Sequence, residues 1–463
     1  MRNLVVVVLD TLRSADPWDP AQPAGASQVF GDFSKTTALY NNLVASSSWT
    51  VPSHRSLLHG VDPWDARETS QAVGSSQRGT TLARFWAELG GESVALSLNP
   101  FVSRATGVLQ DYDRILRGWQ NRLCELDWRL SGASDALFRE VAQSEENSHA
   151  RKSAALALSS PARAGLDWGA RVAVRAGLPL FDTKWLTSSL SGFLRQRTSR
   201  RPLLIFLNMM EMHEPYPGTL FHRSPSVEPG CLPTSNLGAH SDRLVSSRNG
   251  STVLRSAYSV AMLRVRSRYN ELMTLLQSRG VLGDSLVVAT SDHGQALGEH
   301  GYFGHGRYLY DELVHIPTAV TSTDPRLNGS LEALREGPLD HRHLHDWILS
   351  AVSGQYGRNS VRDVFAERGP AISYVATQEF RRSGPLVGDH ASVRLFSESG
   401  SAWLESWSGR RTPEVVDLAG SEGSSLLEQG TRVLEQTRTT PGGGIVPDGS
   451  LPVARRLQGW GYE

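Results

Sequence analysis

The chain has 463 residues, 39% of them hydrophobic and 20% charged, and its 47 basic residues balance 47 acidic ones. That composition is that of a soluble globular protein and leaves no net charge to favour nucleic acid or an anionic membrane surface as the main partner. Two cysteines, Cys124 and Cys231, argue against a disulfide framework and for a reducing compartment. No apolar run reaches the roughly 18 residues of a membrane span. The N-terminal run is too short for a signal peptide and passes straight into Asp10. The expectation is a cytoplasmic protein without a membrane or nucleic-acid partner.

In chain order, Leu4 to Leu9 is a continuous β-branched and apolar run, the pattern of a strand buried on both faces of a parallel sheet. Asp10 falls at its carboxyl end, where open α/β sheets bind ligands. A buried carboxylate there needs a partner: a metal, Arg13 or the N–H groups of a following turn would each serve. Thr37 to Val44 reads as a second strand. Ser46 to Gly60 reads as a loop running into a short helix, with Pro52 in the first turn and Gly60 just past the end. Thr50 sits before the free N–H groups of that helix, either as its N-cap or as a hydroxyl held beside a bound anion.

Thr80 to Leu89 predicts an amphipathic helix ended by Gly90-Gly91, and Ser93 to Leu98 a strand that delivers Asn99 to the same sheet edge. Residues 118–199 read as a helical insertion or cap. Leu203 to Leu207 is another buried strand, and the stretch after it brings His213 near the edge; a lone loop histidine is more often at the surface or structural than functional. Residues 217–249 read as irregular and Ser256 to Ser278 as a long amphipathic helix. Ser285 to Thr290 is a further strand. Asp292-His293 follows it and turns at Gly294, a spacing that lets both side chains reach one ion. His300, His305 and Tyr308 lie in the Gly-rich loop beyond, where glycines permit close backbone approach. Ile316 to Val320 is the next strand. A helix begins near Asp340, short alternating runs between Ala371 and Leu418 predict a small antiparallel sheet, and Ser424 to Glu435 predicts a last helix.

The alternation of strands and helices argues for an α/β protein with a mostly parallel central sheet flanked by helices. We expect this unit over 1–335, a small α+β subdomain over 336–440 and a loosely packed tail over 441–463.

In this order and spacing, VVVVLDTLR, SWTVPSHRSLLHG, MMEMHEPYP, VVATSDHGQALGEHGYFGHGRYLYDELVHIP and TPEVVDL resemble the alkaline phosphatase superfamily, specifically its sulfatase-like branch. The resemblance implies a metal-dependent hydrolase. Asp10, Asp292 and His293 would bind one divalent ion (Mn, Zn, Mg or Ca) together with Thr50, whose oxygen would be the nucleophile. His213 and His305 would contact the transferring group or the leaving oxygen. His54 stands where sulfatases carry Arg, Thr11 where many carry a second Asp, and Thr50 where they carry the Cys or Ser that is oxidised to formylglycine.

A threonine cannot be converted to that aldehyde. The resemblance therefore points to phosphate diesters or phosphonate and phosphate monoesters as substrates, small anionic esters cleaved through a covalent Thr50 intermediate. Three alternatives remain: a sulfuric ester hydrolase, a phosphoryl-group transferase to an alcohol, and a family member that binds anions without catalysis.

Overall fold

A computed structural model of the chain describes residues 3–14, 29–30, 37–64, 80–99, 101–104, 106–117, 183–213, 250–301, 303–354, 357–379, 388–407, 410–416 and 421–438. The expected loop over 217–249, the tail over 441–463 and the insertion as far as residue 182 lie outside those residues.

The strand β1 (Asn3–Leu9) is buried along nearly its whole length. Its side chains alternate between two cores, as strand geometry requires. Val5, Val7 and Leu9 enter one cluster, and Leu4, Val6 and Val8 enter the other. Strands β2 (Thr37–Val44), β3 (Glu92–Ser97), β4 (Arg114–Arg117), β5 (Leu203–Met209), β6 (Ser285–Thr290), β9 (His315–Ser322) and β10 (Leu339–Asp340) complete an eight-stranded sheet in the order β10-β2-β9-β6-β1-β5-β3-β4. β1 is central and parallel to both β5 and β6. β9 runs antiparallel to β6 and β2, so the sheet is mixed although most neighbours are parallel. Because β9 reverses direction twice over, β2 ends at the same edge as β1, β5 and β6.

One face is covered by α3 (Lys184–Gln196) and α4 (Gly250–Ser278), through Leu186, Leu190, Tyr258, Val265 and Tyr269. α3 lies in the C-terminal part of the segment read as a helical insertion. α4 begins six residues before the predicted Ser256. The other face is covered by α1 (Thr50–His59), α2 (Leu82–Glu88) and α7 (His341–Val352). α2 is capped by Thr81, whose hydroxyl accepts from the Arg84 N–H at 3.0 Å. Three shorter helices, α5 (Asp311–Val314), α6 (Asn328–Ala333) and α8 (Arg358–Arg368), were not anticipated, nor was the β7 (Ala296–Leu297) and β8 (Phe303–Gly304) hairpin. The pieces of two to six residues are too brief to show a period.

The C-terminal sheet forms as expected. Strands β11 (Ala371–Glu379), β12 (Gly388–Ser397), β13 (Gly400–Trp407) and β14 (Arg410–Val416) pair antiparallel in sequence order. α9 (Ser421–Arg438) packs on one side through Leu426, Val433 and Leu434. The other side packs Ala371, Val375, Phe396 and Trp403 against Val44, Leu309 and Leu313 of the large sheet's edge. No helix among the described residues is long and apolar enough to cross a membrane.

Candidate active site

The carboxyl ends of β1, β2, β3, β5 and β6 meet at one edge. Asp10 leaves β1 with its N–H bonded to the Met209 carbonyl at 2.9 Å. Its Oδ2 accepts from Asn99 Nδ2 at 2.8 Å and Asn208 Nδ2 at 3.2 Å. Its Oδ1 is buried and has no hydrogen-bond partner among the described residues. Of the three partners the sequence allowed, Arg13 is not the one used. It turns away to Glu299, Nη1 to Oε1 at 2.8 Å, and to the Gln295 carbonyl at 3.2 Å.

The turn after Asp10 is strained. Thr11 has φ 61°, unusual for a β-branched residue and worth roughly 1–3 kcal/mol of cost. Hydrogen bonds fix it in place. Thr11 N–H donates to Asp292 Oδ1 at 3.1 Å, and Tyr258 of α4 donates its hydroxyl to the Thr11 carbonyl at 2.8 Å while accepting from Arg13 N–H at 2.9 Å.

β6 is followed by Ser291, whose hydroxyl accepts from Leu12 N–H at 2.9 Å and lies 2.8 Å from the Leu9 carbonyl and 2.7 Å from that of His293. Asp292 Oδ1 also accepts from the His293 N–H at 2.9 Å, and its Oδ2 has no hydrogen-bond partner. His293 Nδ1 lies 2.9 Å from the Gly294 carbonyl and so carries the proton, which leaves the Nε2 lone pair facing the cluster. Gly294 is required for space. A Cβ there would lie 2.0 Å from the Glu312 carbonyl oxygen.

Thr50 is the first residue of α1 rather than its cap. The N-cap is Trp49, without a side-chain cap bond. The Thr50 hydroxyl, 2% exposed as a residue, lies 3.4 Å from His293 Nε2. One turn on, His54 directs Nδ1–H back to the Thr50 carbonyl at 2.8 Å. Its Nε2 lies 3.4 Å from Asn208 Nδ2, and its Nδ1 is 3.6 Å from Asp292 Oδ2. Asn208 therefore bridges Asp10 and His54, and His54 braces the segment that carries Thr50.

Asp10, Asp292 and His293 offer ligand atoms that all lie within 4.8 Å of one another, the one such grouping found among the described residues. Burial, together with the charge of Asp292, pushes Asp10 up to about 6. Burial raises Asp292 to about 6 against the opposing N–H bonds of Thr11 and His293. Burial lowers His293 to about 4 and His54 to about 3. Two dry carboxylates, each with one unspent oxygen, beside an unprotonated imidazole nitrogen form a costly arrangement unless a cation shares it. The residues present thus fit a divalent ion. Two carboxylate oxygens and one imidazole nitrogen do not select among Mn, Mg, Ca and Zn.

His305 and His213 stand beside the cluster. The His305 ring lies 4.5 Å from that of His293 and 5.0 Å from that of His213, centroid to centroid. Its Nδ1 bonds Gln295 Oε1 at 2.8 Å, and burial, with the charges of His293 and His213, holds it well below the usual histidine range. All seven residues singled out from the sequence are thus gathered at this edge. Asn99, a minor candidate there, holds Asp10. Asn208, Ser291, Tyr258 and Gln295 were assigned no role by sequence reasoning. For Asn208 a signal existed, since it ends β5 as Asp10 ends β1. For Tyr258, on a helix far along the chain, none did.

The architecture and the acid–imidazole cluster define a protein of the alkaline phosphatase superfamily. A family model described as Sulfatase matches residues 2–351, and the chain belongs to that family. Among solved structures it resembles phosphonate monoester hydrolases from Silicibacter pomeroyi, with 14% identity and a TM-score of 0.54, and from Agrobacterium radiobacter, with 13% and 0.54. In both cases the match covers 95% of this chain and 96% of the other. Among curated proteins, an arylsulfatase of Clostridium perfringens is 19% identical over 41% of this chain and 43% of its own length. The match to that relative therefore spans less than half of it.

Proposed function

We propose that this protein is a divalent-cation-dependent hydrolase of phosphate diesters or of phosphonate and phosphate monoesters, acting through a covalent Thr50 intermediate. The observation that carries the reading is the Thr50 hydroxyl 3.4 Å from His293 Nε2, beside the two carboxylates with unspent oxygens. Asp10, Asp292 and His293 would hold the cation. When bound it would lower the pKa of the Thr50 hydroxyl and offset charge on the transferring group. The Thr50 hydroxyl gives up its proton to solvent as its oxygen forms a bond to phosphorus, the bond from phosphorus to the ester oxygen breaks, and that oxygen departs on the side of His213 and His305, taking up a proton from solvent. Water then cleaves the Thr50 ester and restores the hydroxyl.

Threonine at this position supports phosphorus over sulfur, because its extra methyl group bars conversion to formylglycine. His54 in place of a fixed cation suits a singly charged ester. Its ring is buried and neutral, with Nδ1–H committed to the Thr50 carbonyl. The resemblance in fold to the two phosphonate monoester hydrolases accords with this choice, and the family name keeps sulfate esters as the second reading. A cytoplasmic location and a small anionic ester as the partner belong to the same proposal.

The test is turnover of bis(p-nitrophenyl) phosphate beside p-nitrophenyl sulfate by Mn2+-loaded protein and by Thr50→Ala. The expected result is diester turnover that falls by at least about 10³-fold in the variant. Undiminished turnover in the variant would remove the proposal, and a preference for the sulfate ester would replace it by the second reading.

A further inference from the structure

His341, the first residue of α7, makes its hydrogen bonds among the described residues to neither the ion ligands nor Thr50, yet it joins the segments that carry them. Its Nδ1 accepts from the Ser46 N–H at 3.2 Å, and its Nε2 lies 2.9 Å from the Ser291 carbonyl, to which it donates. Ser46 is 295 residues away in sequence and Ser291 is 50 away. The ring is fully buried, and burial lowers it to about 4, so it is neutral and one tautomer satisfies both bonds.

Both ends of this brace are tied down. On the Ser291 side, the hydroxyl of that residue gathers Leu12, Leu9 and the His293 carbonyl into one knot. On the Ser46 side, the carbonyl accepts from Tyr374 N–H of the small sheet at 2.8 Å, and Ser373 donates its hydroxyl to the Ala45 carbonyl. Ser53 of α1 closes the loop, accepting from Ser47 N–H at 3.2 Å and donating to its carbonyl at 2.8 Å. The ring itself is anchored because Asp340 caps α7, accepting from the Arg342 N–H at 2.8 Å. By contrast, the contacts between the Thr50 helix and the acid–imidazole cluster are long, 3.4 Å from Thr50 to His293 and 3.6 Å from His54 to Asp292. They are longer than the two bonds His341 makes and constrain the separation less.

We propose that His341 is a positioning residue, whose ring sets the distance between the Thr50 hydroxyl and the Asp10–Asp292–His293 cluster by bracing Ser46 against Ser291. The inference rests on the proposed role of Thr50. It explains why the small C-terminal sheet grips the nucleophile loop: β11 and α7 together form the abutment behind it. Removing the ring lets the loop relax away from the cluster while leaving the ion ligands in place.

The test uses the full-length protein with His341→Ala and His341→Gln, the second keeping one donor and one acceptor. In His341→Ala, kcat for bis(p-nitrophenyl) phosphate with Mn2+ is expected to fall on the order of 10²-fold, the scale of a misplacement of about 1 Å. KM and the Mn2+ dissociation constant from calorimetry should stay within about threefold of the parent. His341→Gln should recover most of the loss. Should the alanine variant not fold, His341→Asn, which keeps an acceptor for Ser46 but is too short for Ser291, takes its place with the same expectation.

A folded variant with unchanged kcat, or a loss confined to Mn2+ affinity, would overturn the proposal. Crystal structures decide the brace without any turnover. Thr50 Oγ1 and His293 Nε2 should separate beyond 3.4 Å in His341→Ala, and an unchanged pair contradicts it. Thr50→Ala, assayed alongside, reports separately on the reading beneath.

Discussion

At the scale of single residues, the site is a problem of unsatisfied oxygen. Asp10 and Asp292 each give one carboxylate oxygen to N–H donors and leave the other buried without a hydrogen-bond partner. Asn208 serves the cluster twice, through Asp10 and His54. Groups that orient ligands in this way typically carry 10- to 100-fold of ion affinity. Asn208→Ala is therefore expected to weaken Mn2+ binding by about that factor, measured by calorimetry, and to lower the melting temperature of the ion-free protein as well, because buried Asp10 loses a donor. A variant that binds Mn2+ as tightly as the parent would show that Asn208 does not orient Asp10.

Most of these residues were legible from their types and places. An Asp at a strand end, an Asp-His pair before a glycine and a Thr at a helix start need no coordinates. The asparagines were harder to read, because an amide at a strand end reveals a role only once its carboxylate neighbour is located in space.

At the scale of elements, the cluster depends on two turns that only particular residues permit. Gly294 passes so close to the Glu312 carbonyl that no side chain fits. Gly294→Ala is expected to cost about 1–3 kcal/mol or more in urea unfolding, since the Glu312 carbonyl is backbone and cannot rotate aside. The Thr11 turn depends instead on Tyr258. Tyr258→Phe removes a donor to Thr11 and an acceptor for Arg13, leaving buried backbone groups unpaired. The expected loss is about 1–3 kcal/mol in the same measurement, with the denaturant slope unchanged. A loss below about 0.5 kcal/mol would mean that water or a shift of the turn replaces the tyrosine.

The long elements were readable because their periods are strong: β1 shows alternating burial beneath an unbroken apolar run, and α4 a long amphipathic stripe. The N-cap of α1 was not. Trp49 has no capping chemistry, and Thr50 looks like a cap by type. Its hydroxyl points to the cluster instead.

At the scale of the whole molecule, the mixed sheet brings together segments from nearly 300 positions apart, and the price is a polar, dry edge with buried neutral histidines. His54 and His59 lie near 3 and His341 near 4, each lowered chiefly by burial. The unfolded chain binds protons at these histidines below about pH 6.5, whereas the folded one does not until pH 3–4. The stability they confer is thus complete above pH 6.5 and declines as the pH falls, by about 2 kcal/mol per group at pH 5. The raised carboxylates, Asp10 and Asp292, act in the opposite sense, since their cost to stability builds as the pH rises from about 4, where the unfolded chain ionises, to about 6, where the folded one does, but they are fewer and less displaced. Ion-free protein is accordingly expected to unfold at lower urea at pH 5 than at pH 7.5. A higher midpoint at pH 5 would show that the carboxylates dominate.

The overall class was legible because a parallel sheet demands continuous apolar strands and puts its chemistry at one edge. The reversal of β9 was not, because strand direction leaves no mark in an apolar run. Nor was the grip of the small sheet on the loop before Thr50, which is made on the backbone carbonyls of Ala45 and Ser46, acceptors that side-chain patterns do not encode.

The central claim is that Thr50 becomes covalently bound to the group it transfers. Acid-quenching Mn2+-loaded protein during turnover of a phosphate diester, then mapping the modified peptide by mass spectrometry, tests it directly. The account predicts a phosphoester on the peptide containing Thr50 and none in Thr50→Ala, which should also be inactive. Steady turnover with an unmodified Thr50, equally fast in Thr50→Ala, would contradict it.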